Sequence, residues 1–180
     1  HRRVDAVVLL VRLGASMLHT VDHIAIRAPL HHSITEQCFR GLTPLHLCAW
    51  LDNHAAAAAL LNEACEDKAP VVSGEHRRPQ RQALLSAVCV QGWVTLAAVS
   101  MAEEPWHWKN ITPLHLAILR RSFSVAELLI EVSKPESLRM LCVQMDTFAD
   151  CERSFSALLL AHEFGLRDLH RKIAKRFGEP

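Results

Sequence analysis

One tetrapeptide occurs twice in this chain, as Thr43-Pro44-Leu45-His46 and as Thr112-Pro113-Leu114-His115, and each copy opens an apolar run. The runs are Leu47-Cys48-Ala49-Trp50 and Leu116-Ala117-Ile118-Leu119. Threonine before proline is a strong helix start. The hydroxyl can accept from an orphan N–H of the first turn, and proline in the first turn forfeits no hydrogen bond. The two leucines then point into a core one turn along. The threonines stand 69 positions apart (112 − 43), so whatever folds here is built at least twice.

The composition agrees with helices packed closely on helices. Half of the 180 residues are apolar, but aromatics make up only 6% and tyrosine is absent, so Ala, Leu, Val and Ile must fill the core. Six glycines and eight prolines are few for an all-β chain rich in turns. The formal net charge of +1 does not suit a nucleic-acid binder, whose affinity rests on phosphate neutralisation. Local basic clusters, at Arg77, Arg78 and Arg81 and from Arg167 to Arg176, read as solvated surface.

The repeated tetrapeptide, each copy followed by a small-residue helix, resembles the ankyrin repeat. The resemblance implies an all-α fold, a helical repeat solenoid with short or degenerate β-hairpin loops. It also gives His46 and His115 structural roles. With a unit of about 33 residues, 69 positions make about two periods, so a third unit is expected in between. Ala83 to Trp93 would be its first helix, ending at Gly92, and Thr95 to Met101 its second. Val4 to Ala15 resembles a second helix with a Gly-Ala exit. Ala157 to Gly165 and Leu166 to Ala174 resemble a terminal pair with a polar outer half. The expected units of this single domain are 1–16 (partial), 39–65, 82–103, 108–134 and 154–176.

Three connections are longer than the family pattern: Met17 to Arg40, Glu66 to Arg81 and Glu131 to Arg153. The last contains Ser137 to Met145, apolar enough for an extra short helix. The turn glycine of the family is replaced by Asp52 or Asn53 in one unit and by Arg121 in another. Such turns cost stability, because only glycine takes positive φ freely.

Other readings compete for the same residues. Ala83 to Ala102 runs 20 positions without a charge, the length of a membrane span. Gly92, four polar residues and flanking repeat units favour a buried helix pair instead. His19, His23, His31, His32 and Cys38 crowd one connection. His19 and His23 share the i, i+4 spacing of a zinc pair, but no second pair follows, and a His-rich surface loop is expected. The six cysteines (Cys38, Cys48, Cys65, Cys89, Cys142, Cys151) show no CxxC pair and read as reduced thiols in an intracellular, cytoplasmic protein. The chain lacks an initial Met and reads as a piece of a longer protein, without signal or lipidation motif. No nucleophile elbow, phosphate-cradling loop, HExxH or paired-carboxylate frame occurs, so neither an enzyme nor a cofactor or metal site is expected.

The resemblance implies a binding surface in the concave groove formed by hairpin tips and first helices. The positions just before each Thr-Pro and just after the small-residue pair are Phe39, Arg40, Leu42, Trp50 and Leu51 in one unit. In another they are Trp108, Lys109, Ile111, Leu119 and Arg120, with Val90 and Gln91 between. Trp and Arg anchor interfaces more often than other residues. The expected function is a monomeric module that binds a protein or peptide, with neither nucleic acid nor a membrane as partner. A regulatory segment acting on another domain of a larger enzyme or channel is the second expectation, and a zinc-stabilised variant the third.

Overall fold

At each Thr-Pro the chain turns from extended backbone into a helix. Thr43 (φ −84°, ψ 165°) and Thr112 (φ −87°, ψ 165°) are the N-caps of α1 (Pro44–Trp50) and α4 (Pro113–Arg120). Ahead of each cap stands a fully buried residue, Leu42 or Ile111. Leu47 and Leu116, at the fourth helical position, belong to the same apolar core, which is the arrangement of a hydrophobic staple. This computed structural model describes residues 5, 9–10, 13, 15–20, 24–30, 33–64, 81–87, 91–94, 106–140, 142–146 and 152–177.

The described residues are predominantly helical. After α1 and α2 (His54–Glu63) comes a short helix α3 (Arg81–Ser86). Then α4 is followed by α5 (Phe123–Val132) and a short α6 (Pro135–Met140), and the chain ends in α7 (Ala157–Glu163) and α8 (Arg167–Phe177). Helices α1–α2, α4–α5 and α7–α8 form three antiparallel pairs. Their first helices pack α1 on α4 and α4 on α7, and their second helices pack α2 on α5 and α5 on α8.

The turn within each pair is the same. Asn53 N–H donates to Cys48 O (2.9 Å), Ser122 N–H to Ala117 O (2.8 Å) and Leu166 N–H to Ala161 O (2.9 Å). Each bond spans a residue in the left-handed region: Asp52 (φ 49°), Arg121 (φ 57°) and Gly165 (φ 66°). Cys48, Ala117 and Ala161, which accept these bonds, are small and buried, so the first helices can approach one another closely.

Asp52 also acts beyond its own pair. Its Oδ1 accepts from the Val125 N–H (3.1 Å) and its Oδ2 from the Ser124 hydroxyl (2.9 Å). One carboxylate thus satisfies an orphan donor at the start of the neighbouring α5. Asp52→Ala should cost about 1 kcal/mol, read as a lower urea midpoint with an unchanged slope; no change would show that the cap contributes nothing.

The segments leading into the helix pairs run as strands: β1 (Ile24–Leu30), β2 (Ser33–Arg40), β3 (Gln91–Val94), β4 (Trp106–Lys109), β5 (Cys142–Asp146) and β6 (Glu152–Ser156). They form one antiparallel sheet in chain order. Its register aligns Phe39 with Gly92, Gly92 with Trp108 and Trp108 with Met145. The hairpins are therefore longer than the short or degenerate loops expected.

Gln91 to Val94 is a strand, although a helix was expected through Trp93, and α1 and α4 pack directly on each other, with no third pair between them among the described residues. Among the described residues, the interval from Thr43 to Thr112 holds one helix pair, α3 and the strands β3 and β4. The expected second helix, Thr95 to Met101, lies outside the described residues. Ser137 to Met145, expected as a short helix, divides between the end of α6 and the strand β5.

At the far N-terminal side Leu13 N–H donates to Leu9 O (2.9 Å) and Ala15 N–H to Leu10 O (2.9 Å), while most of Val4 to Arg12 lies outside the described residues. Among the described residues no helix is long and apolar enough to cross a membrane.

Candidate functional site

Direct packing of α1 on α4 brings the C-terminal ends of the two helices side by side. There the Arg120 guanidinium carbon lies 4.0 Å from the centroid of the Trp50 ring. A planar, weakly hydrated cation over an indole face is a favourable stack. Trp50 retains 4% of its exposure and Arg120 is half-buried. The Arg120 Nε is buried without a hydrogen-bond acceptor, and burial lowers the guanidinium pKa from its ordinary value. The next residue along from Trp50, Leu51, is 69% exposed. The result is an aromatic-backed cation with an open apolar neighbour, suited to a carboxylate on an apolar peptide.

The expected groove residues divide in two. Leu42, Ile111, Leu119 and Trp50 are buried in the core and present no surface to a partner, which corrects their assignment. Leu42 and Ile111 are the staple residues ahead of the caps, and Trp50 lies beneath Arg120. Arg40 and Leu51 are exposed, while Lys109 and Arg120 are half-buried. Phe39, Gln91 and Trp108 occupy strands β2, β3 and β4, where Arg40 pairs in register with Gln91 and Lys109 with Gln144. Val90 lies outside the described residues. The role of Asp52 had no signal in the sequence, because its partners lie on a different helix pair.

The two tetrapeptide histidines serve the fold. His46 Nε2–H donates to Ile111 O across the α1–α4 boundary (2.9 Å). A carbonyl only accepts, so Nε2 carries the hydrogen and Nδ1 accepts from the Thr43 hydroxyl (2.8 Å). His115 repeats the inner half of this arrangement. Thr112 Oγ1 accepts from the His115 N–H (3.3 Å) and donates to His115 Nδ1 (2.8 Å). Its Nε2 is buried without a partner. Both rings are almost wholly enclosed, and desolvation lowers each pKa to about 4, so both are neutral at ordinary pH. Neither is poised for acid–base chemistry.

Cys48 is a free, buried thiol whose pKa burial raises to about 11, which makes it an unreactive packing residue. Among the described residues no group of three or more His, Cys, Asp or Glu side chains could hold a metal ion. Of the histidines weighed for zinc, His19 is exposed, while His23, His31 and His32 lie outside the described residues.

No protein-family model matches the chain, and no curated protein or solved structure is significantly similar to it.

Proposed function

We propose that this chain is an ankyrin-type helical repeat solenoid and acts as a protein–protein interaction module, by binding and not by catalysis. Support for the repeat comes from three helix pairs that share one turn geometry and stack first helix on first helix. The observation that carries the binding reading is Arg120, a half-buried cation stacked over Trp50 beside the exposed Leu51. A peptide carboxylate would meet the exposed side of the half-buried guanidinium, and the exposed Leu51 nearby would pack on an apolar neighbour of the same peptide. An intracellular setting accords with the free Cys48.

Selection of peptides from a random displayed library on the immobilised chain tests this directly. Recovered sequences should share an acidic residue beside an apolar one. Arg120→Ala should weaken their binding about tenfold, the scale of one lost charged contact, with the melting temperature little changed. Equal binding to the variant would remove Arg120 as the anchor.

A further inference from the structure

Cations on α8 are segregated by their partners. On the packed side, Lys172 pairs with Glu127 of α5, and Arg176 Nη2 donates to Glu131 O (2.9 Å) and Ser133 O (3.2 Å). On the other side, Arg167, Arg171 and Lys175 recur at every fourth position and line a groove of about 740 Å³ between α7 and α8. Arg171 meets Asp168 at 3.2 Å, in a pair so exposed that it neutralises little. Among the described residues no carboxylate meets Arg167 or Lys175.

His162 and His170 line the same groove, their ring centroids 5.6 Å apart. The Glu163 carboxylate lies 4.0 Å from His162 Nδ1. The floor is apolar, with Leu166 and Ala174. A row of three cations over an apolar floor calls for a negatively charged partner with aliphatic character.

We propose that this groove binds an acidic peptide segment in extended conformation, with carboxylates on alternate residues meeting Arg167, Arg171 and Lys175. Four residues of helix rise about 6 Å, and alternate side chains of an extended strand lie about 6.6 Å apart. Three successive contacts therefore stay in step along the groove. The aliphatic stems of glutamate suit the apolar floor. A single-stranded nucleic acid has a similar charge spacing, but base stacking favours large aromatic faces, and this groove offers two imidazoles and no Phe or Trp. This surface is independent of the Arg120 site.

The test uses fluorescence anisotropy at about 0.15 M salt, where weak long-range attraction is screened. The probe is a labelled peptide of alternating Glu and Val, compared with its Gln counterpart and with oligothymidylate of equal charge. The Glu peptide should bind and the Gln peptide should not. Measured in an Arg120→Ala background, which removes the other site proposed for acidic peptides, Arg167→Ala combined with Lys175→Ala should weaken binding at least about tenfold. Circular dichroism should be the same in all variants, because the altered groove residues are exposed. Failure of the Glu peptide to bind, equal binding of the Gln peptide, oligothymidylate binding as tight as the peptide, or indifference to the double variant would each overturn the proposal.

Discussion

Acidification from about pH 7 to about pH 5 should remove about 4 kcal/mol of folding stability, through His46 and His115 alone. Each imidazole is buried, with its pKa lowered to about 4, whereas in the unfolded chain it titrates near 6.5. Above the unfolded value both states are neutral and the full stability is present. As the pH falls below it, the unfolded chain takes up a proton that the native fold refuses, and stability drops. Loss continues until the pH reaches the folded value, where the native state is protonated too. At about pH 5 the gap below the unfolded value is about 1.5 pH units, or about 2 kcal/mol for each histidine. Urea titrations at the two pH values measure the drop directly. In His46→Gln and in His115→Gln the drop should shrink by about half. A drop that persists undiminished in both variants would place the acid sensitivity elsewhere.

Leu116→Ala should have the next largest effect, about 3 kcal/mol within the usual range for a buried leucine. Leu116 is fully buried in α4, the first helix of the middle pair, and is flanked by α1 on one side and α7 on the other. With neighbours on both sides, the cavity has little room to collapse, and the residual void adds to the lost transfer energy. Leu51→Ala is the matched control, because Leu51 is 69% exposed and should change stability by less than about 0.5 kcal/mol. Thermal or urea unfolding of the two variants distinguishes them. Similar losses in both would mean that the three helix pairs do not share one continuous core.

Helix starts were the most legible part of this sequence, and the reason is chemical. Thr-Pro fixes the cap, the first dihedral and the direction of the following leucine with local residues alone, and both copies fold accordingly. The region around Gly92 was not legible in the same way. A short apolar run gives no period long enough to separate a buried helix from a strand. There the numerical match of 69 positions to two repeat periods favoured helix, whereas the chain pairs Gln91 to Val94 with β2 and β4.

The candidate site was half legible. Arg120 and Leu51 sit where a binding surface was expected, but Leu42 and Ile111 are staple residues, a role that their place immediately before a capping threonine could have indicated. Trp50 is covered by Arg120, a contact between separate helix pairs that no local pattern encodes.

The bond from His46 to Ile111 has a consequence for the order of folding. It joins residues 65 positions apart, although the helix pairs it connects are immediate neighbours in space. Closing a loop costs about 0.6 kcal/mol more for each doubling of its length, so the long interval takes little from the equilibrium stability. Its effect is kinetic. Each helix pair is made of contacts between near neighbours along the chain, whereas the α1–α4 boundary requires a distant encounter, and chains rich in distant encounters fold slowly. The individual pairs should therefore form early, and the seam between α1 and α4 should close late.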